Sequence, residues 1–264
     1  LILTFSHAFA DVLDKITIAG WSKLISEITN ILAEPDKGFF KAEKIELGYI
    51  SGTGGGSALT NMLSGAADVA FTDPSSLYQA LSRGEDLVAI YNIYPQNVFN
   101  VVVPVGRGIT TTADLKGKTI GVYSLNSGTR QNLLFLLHKA GLNESDVNIQ
   151  VTGLLNFAPV IQGQVDATAA TDTGLYVGKL KGLGDVTVIN VADSLNVPSD
   201  LFVVTRGYYK ENKSVLRRFL KAYRNSTQWM IDNPEDAAKI AVTRAINGRD
   251  EKVNLELIKL RNIS

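Results

Sequence analysis

Residues 65–73 read Gly65-Ala-Ala-Asp68-Val-Ala-Phe-Thr72-Asp73, and residues 163–172 read Gly163-Gln-Val-Asp166-Ala-Thr-Ala-Ala-Thr171-Asp172. Each stretch opens on a turn glycine, places an acid three residues on, runs through a short strand of small and apolar side chains, and ends on Thr-Asp. Upstream of the first copy, Lys15–Ala19 and Lys44–Ile50 carry strand patterning, and the periodic apolar positions of Trp21–Ala33 predict a helix ended by Pro35–Gly38. Gly52-Thr-Gly-Gly-Gly56 is a loop before a short helix over Ser57–Leu63. The order is strand, helix, strand, helix, strand.

That order returns about a hundred residues later. Lys118–Tyr123 is a strand, Ser127-Gly-Thr129 opens a helix that Gly141 closes, Val147–Val151 is a strand, Phe157–Gln162 a short helix, and Asp166–Ala170 a strand. Chance likeness between α/β segments is the alternative, but agreement in both element order and motif favours duplication. Two βαβαβ units imply two doubly wound lobes. The chain is expected to cross from one to the other near Asn97–Val101 and to return near Asp200–Thr205. The expected division is residues 11–97 with 203–264 as lobe one and 98–202 as lobe two, joined by a two-strand hinge. Loops at the carboxyl ends of both sheets would then face one cleft, where open α/β sheets bind ligands.

Composition narrows the function. The 264 residues balance 26 Lys and Arg against 26 Asp and Glu, which lacks the basic footprint of a nucleic-acid binder. There is no cysteine, so disulfides, thiolate metal sites and cysteine nucleophiles are excluded together. Neither His-Glu-x-x-His nor Gly-x-Ser-x-Gly occurs, and Gly117-Lys-Thr119 fails as a phosphate loop because Thr112 stands where a glycine is needed and a strand follows. His138 sits in a helix beside Lys139, which suits a structural or surface role. No catalytic set, resident metal or cofactor is expected. At the other end, Leu1–Phe5 followed by Ala8-Phe-Ala10 matches the tail of a signal peptide, so export with cleavage after Ala10 is expected; a first helical turn is the alternative.

The candidate ligand positions lie on the loops of that cleft. Gly54, Gly55, Gly56 and Ser57 follow a strand and open a helix, so their amides either meet a ligand or serve a flexible turn. Ser127, Gly128 and Thr129 are the counterparts in the second unit. Thr72 with Asp73 and Thr171 with Asp172 lie just past a strand end in each lobe and are expected to face each other. Asp73 precedes Pro74, so it can cap the next helix, meet a ligand, or do both. Trp21, with its neighbour Ser22, and Asn156 with Phe157 complete the set; the rings of Trp21 and Phe157 could wall the cleft or pack into the core.

Four stretches together carry a resemblance: Lys37-Gly-Phe-Phe40, Gly65-Ala-Ala-Asp68-Val-Ala, Asp114-Leu-Lys-Gly-Lys-Thr-Ile-Gly-Val122 and Gly163-Gln-Val-Asp-Ala167. In this order they resemble the substrate-binding proteins of ABC importers, in the group with sulfonate, taurine and nitrate binders and thiamine-pyrimidine-synthase-like proteins. The resemblance implies a type II periplasmic-binding-protein fold of class α/β. It implies a monomeric clamp that closes on a small molecule and delivers it to an ABC permease in the inner membrane, and hence a periplasmic location. It also implies ligand contact at Trp21 and Ser22, at Gly54 to Ser57, at Thr72 and Asp73, and at Ser127 to Thr129, and a chain that continues beyond Ile263. Two other roles share the fold: an enzyme making a pyrimidine precursor, which would need Lys and His at a cofactor site, and a sensing module for a signalling protein. Arg130 is the one evident basic residue in a candidate loop, so Asp73, Asp172, Trp21 and Tyr91-Asn-Ile-Tyr-Pro95 favour a flat pyrimidine-like heterocycle over a sulfonate-type anion.

Overall fold

The computed structural model describes residues 12–155 and 157–264; the expected signal segment, its cleavage point and Asn156 lie outside them. In chain order the first unit contains β1 (Asp14–Ala19), three one-turn helices α1 (Thr29–Leu32), α2 (Glu34–Lys37) and α3 (Phe39–Ala42), β2 (Ile45–Ile50), α4 (Gly55–Leu63), β3 (Val69–Thr72), α5 (Pro74–Ser82) and β4 (Leu87–Tyr94). The second contains β5 (Phe99–Pro104), β6 (Thr119–Val122), α6 (Gly128–Lys139), β7 (Asn148–Val151), α7 (Ala158–Ile161), β8 (Ala167–Thr171), α8 (Asp172–Leu180) and β9 (Val186–Asn190). The chain then returns through β10 (Asp200–Thr205) and ends in α9 (Arg206–Glu211), α10 (Lys213–Asp232), α11 (Pro234–Arg244) and α12 (Glu251–Asn262).

Two five-stranded sheets result, ordered β2-β1-β3-β10-β4 and β7-β6-β8-β5-β9. The orders match: in each, one antiparallel strand (β10 or β5) lies between the third strand of the βαβαβ unit and the edge strand that follows it (β4 or β9). The repeated Gly-x-x-Asp motif performs one task twice. The Asp68 carboxylate accepts the Thr17 amide at 2.8 Å while its own amide donates to the Thr17 carbonyl at 2.9 Å. Asp166 does the same with Thr119, at 2.8 Å in both directions. Gly65 and Gly163 take φ values of +78° and +74°, the left-handed turn that lets the acid reach back to the neighbouring strand.

Two expectations need correction. The predicted helix over Trp21–Ala33 is helical only from Ser26, as a 3₁₀ turn that leads into α1. Three carbonyls in residues 21–25 are instead committed to other segments: Trp21 accepts the Gly54 amide, Ser22 the Tyr49 hydroxyl, and Leu24 the Ile246 amide. The return crossing also falls earlier than expected. Strand β10 pairs with β3 and β4 from Asp200 onward, so the crossing lies in residues 191–199, and Asp200, Leu201 and Phe202 belong to the first sheet.

Phe202 shows why that strand is fixed there. Its ring is fully buried and meets Phe71, Tyr91, Phe219 and Tyr223 at centroid distances of 4.7–6.4 Å. Burying a ring of this size contributes about 1.5–3 kcal/mol, with up to about 1.5 kcal/mol more for each well-placed aromatic pair. The second sheet has its own core, centred on Val101, Ile120, Val122, Leu133 and Leu137. At the far end of the chain α12 packs against both the 3₁₀ turn of the first unit and α8 of the second, so the last helix spans the gap.

Candidate functional site

Four helices begin at the same gap, two from each unit, because each follows a strand whose carboxyl end points there. Gly54 caps α4, Asp73 caps α5, Ser127 caps α6 and Thr171 caps α8. Together they enclose a cavity of about 230 Å³. Partial positive charge at helix starts makes this end of both sheets receptive to acceptor atoms.

Of the sequence-predicted residues, Trp21, Gly54, Gly55, Asp73, Ser127, Gly128, Thr129, Phe157 and Thr171 line this one cavity. The remaining described ones stand behind it. Ser22 is fully buried and donates to the Lys23 carbonyl, and Thr72 donates to the Gly55 carbonyl at 2.9 Å. Gly56 donates its amide across the gap to the Asn126 carbonyl at 3.2 Å, and Ser57 follows it into α4 without lining the cavity. Asp172 does not face Asp73 as expected, because its carboxylate is taken by Arg261. Phe157 is both wall and core, packed with Val102, Val160 and Val165.

Several lining residues escaped the sequence reading: Glu27, Tyr94, Tyr123, Lys181, Asp200 and Arg261. Tyr94 belongs to the aromatic stretch Tyr91-Asn-Ile-Tyr-Pro95, and Asp200 opens the segment in which the return crossing is expected. Arg261 had a readable signal. It continues the stripe Asn254, Leu257, Ile258 on the buried face of α12, where a lone guanidinium is out of place unless it has partners. Those partners are Asp172 of the second unit, Glu27 at 3.8 Å, and the Tyr94 ring, whose centroid lies 5.2 Å from the guanidinium carbon.

The site is acidic. Asp73 is 3% exposed and accepts the Ser76 amide at 2.9 Å and the Ser76 hydroxyl at 2.7 Å. Burial pushes its carboxyl above the usual range, and the Ser76 bonds pull the other way. Asp200 is pushed well above that range, first by burial and then by the neighbouring charges of Asp73 and Glu27. Arg130, the basic side chain nearest a helix start, turns away to Glu144 at 2.6 Å. Among the described residues the one histidine, His138, is exposed near the far end of α6 from its cap, and no group of three acids or histidines could hold a metal ion.

Two outcomes follow. Asp73→Ala removes a realised cap, so it should destabilise the unliganded protein by about 0.5–2 kcal/mol, seen as a lower melting temperature, in addition to any effect on binding. An unchanged melt would show that Ser76 finds other acceptors. The raised Asp200 carboxyl disfavours the charged form in the fold, so its destabilising effect is absent below pH 3.8 and grows as pH rises through its folded-state value. The melting difference between Asp200→Asn and wild type should therefore widen from mild acid to neutral pH. A flat difference would mean that Asp200 is already compensated.

Two matched α/β units with helix starts converging on a shared cleft define the periplasmic binding-protein fold. The chain belongs to the NMT1/THI5-like family, whose model matches residues 25–237. It is 25% identical over 239 residues to the riboflavin-binding protein RibY of Chloroflexus aurantiacus (87% of this chain, 66% of RibY). It is 23% identical over 228 residues to the formylaminopyrimidine-binding protein of Halalkalibacterium halodurans (85% and 67%). It is also 24% identical over 249 residues to the yeast 4-amino-5-hydroxymethyl-2-methylpyrimidine phosphate synthase THI12 (86% and 70%). The chain thus spans about two thirds of the length of these relatives. Among solved structures, the alkanesulfonate-binding protein SsuA of Xanthomonas axonopodis superposes with a TM-score of 0.75 at 18% identity, covering 93% of this chain and 83% of that one; this likeness is one of fold.

Proposed function

We propose that this chain is the solute-binding component of an ABC importer, exported to the periplasm, where it closes on a small flat nitrogen heterocycle and presents it to a membrane permease. The observation that carries this reading is the cleft itself: a cavity between two hinged units, walled by Trp21, Tyr94, Phe99, Tyr123 and Phe157 and edged by buried carboxylates. Aromatic walls take the faces of a flat ring, while carboxylates take its N–H donors. A sulfonate would meet three lining acids, Asp73, Asp200 and Glu27, against Lys181 and an Arg261 already paired with Asp172 and Glu27, while Arg130 turns elsewhere, so the charge balance disfavours the anion. The names of the riboflavin- and formylaminopyrimidine-binding relatives support a nitrogen heterocycle.

The ligand set we assign comprises Trp21, Gly54, Gly55, Asp73, Ser127, Gly128, Thr129, Phe157 and Thr171, with Tyr94 and Asp200 added. Binding would shift the population toward the closed form, since only there do both units touch the ligand. The synthase relative keeps an enzyme in view, but the exposed His138 and a single lining lysine, Lys181, supply little for chemistry at a cofactor.

The test is mass spectrometry of molecules carried through gentle purification, followed by calorimetric titration with the one found and with an alkanesulfonate. A bound nitrogen heterocycle, released intact on unfolding, is the expected result. Tight binding of alkanesulfonates with no affinity for heterocycles would overturn the ligand class, and catalytic turnover of the bound molecule would overturn the binding-protein reading.

A further inference from the structure

One buried amide sits where the two crossing segments meet. Asn97 lies in the first crossing, residues 95–98, and is 7% exposed. Its Nδ2 donates to the Leu195 carbonyl of the return crossing and to the Asn132 Oδ1 of α6, both at 3.0 Å. Its Oδ1 accepts the Phe99 amide at 3.0 Å, and its backbone amide donates to the Asn196 Oδ1 at 3.0 Å. Asn132 is equally buried and passes the tie onward, because its Nδ2 donates to the Gly128 carbonyl at 2.9 Å, in the first turn of α6. Neither side chain has a buried polar atom without a partner. A side-chain amide offers two donors and an acceptor, and Asn97 uses all three at once. A buried polar network satisfied in this way rigidifies the segments it joins.

Those segments carry part of the cavity wall. Val98 and Phe99 line it from the strand side, and Ser127, Gly128 and Thr129 from the helix start. The Phe99 ring seats so closely on Gly128 that a Cβ added there would lie 2.5 Å from it. The connection to the first unit is looser. The Tyr94 carbonyl accepts the Ser199 amide at 2.9 Å, which joins the two crossings at the end of the first sheet. Between that rung and Asn97, residues 95–96 and 197–198 share no backbone–backbone hydrogen bond among the described residues. The Ser199 hydroxyl spans the interval, donating to the Gln96 carbonyl and accepting the Val98 amide at 3.0 Å. A hydroxyl can turn about its bond and keep such contacts.

We propose that Asn97 and Asn132 are positioning residues. Their paired amides fasten the turn Ser127–Thr129 to both crossing segments, so that this turn, Val98 and Phe99 move as one body. Bending then falls on the first-unit side of Asn97, at residues 95–96 and 197–198. The turn is aimed before a ligand arrives, which removes the cost of ordering it on binding. This inference rests on the binding-protein reading above for what the turn faces, whereas the tie itself is tested without ligand.

The test is hydrogen–deuterium exchange, read by mass spectrometry, on the unliganded full chain as wild type, Asn97→Ala, Asn132→Ala and Ser199→Ala. Asn132→Ala leaves the backbone bonds of α6 in place, so it cuts the tie alone. It should speed exchange at residues 126–131 about tenfold, the effect of losing buried hydrogen bonds, while the first-unit helix start at residues 74–77 exchanges as in the wild type. Asn97→Ala should do the same and also release the Phe99 amide. Ser199→Ala should release the Val98 amide and leave residues 126–131 unchanged. A merely structural role would instead speed β6, β7 and β8 together with the turn. That uniform pattern, wild-type exchange at residues 126–131 in Asn132→Ala, or faster exchange there in Ser199→Ala would each overturn the proposal. Should Asn97→Ala fail to fold, Asn132→Ala decides alone. Because no ligand enters the measurement, its failure leaves the solute-binder reading standing, and failure of that reading leaves the tie measurable.

Discussion

Arg261→Gln will destabilise the unliganded protein by about 2–3 kcal/mol, below the about 3–5 kcal/mol typical of a fully buried broken pair because Asp172 is about one third exposed and can recruit water. The guanidinium is almost wholly buried and ties together three elements: α12, which carries it, α8 through Asp172, and the 3₁₀ turn through Glu27. Removing its charge leaves the Asp172 and Glu27 carboxylates without this cation, and it strips the Tyr94 ring of its stacked partner. Because Asp172 belongs to the second unit, the loss should also appear as a larger radius of gyration in solution scattering. Asp172→Asn should reproduce the expansion with a smaller loss of stability, since Glu27 and Tyr94 still hold the arginine. A melt and a scattering profile both identical to wild type would mean that the pair contributes no more than its hydration does.

Gly54→Ala will lower ligand affinity by at least a hundredfold. Gly54 has φ +126° and ψ 167°, a region open essentially to glycine alone, where another residue costs about 1–3 kcal/mol. The larger effect is on closure. An added Cβ would lie 2.2 Å from the Asn126 carbonyl oxygen and 2.9 Å from the Ser127 Cα, both backbone atoms of the opposite unit. The methyl group therefore wedges the two loops apart and biases the protein toward its open form, whose grip on a ligand is weaker. Gly56→Ala is the internal control. Its Cβ would meet Asn126 no closer than 3.4 Å at the side chain and 3.5 Å at the carbonyl oxygen, from a backbone outside the left-handed region, so it should bind nearly as wild type does. Calorimetric titration of both variants decides the matter, and equal affinities would show that the loops need not approach so closely for binding.

The sequence was most legible where one residue type does one job twice. Gly65 with Asp68 and Gly163 with Asp166 announced the duplication, and the structure uses both acids for the same strand-to-strand bond. Local signals also located the helix starts at Gly54, Asp73 and Ser127, since caps are read from a few neighbouring residues. What escaped was set by tertiary contact. Residues 21–25 have helical periodicity, but the carbonyls of Trp21, Ser22 and Leu24 serve Gly54, Tyr49 and Ile246 from distant parts of the chain. Asp172 looks like the twin of Asp73 by position, yet an arginine about ninety residues away in sequence takes it from the cleft. Asp200 carried no local motif at all; only its place at the end of β10, beside a register shift in the pairing with β4, singles it out.

The interleaving of the strands has a consequence for how the molecule comes into being. All five strands of the second sheet lie within residues 99–190, so that half can complete itself while the chain is still emerging. The first half cannot: β3 and β4 are parted by a vacant lane until β10 arrives, and until then each offers a bare edge that invites mispairing. The same late segment brings Asp200, and α12 after it brings Arg261. A molecule caught partway through synthesis therefore has pieces of a pocket but no complete wall until α12 has docked.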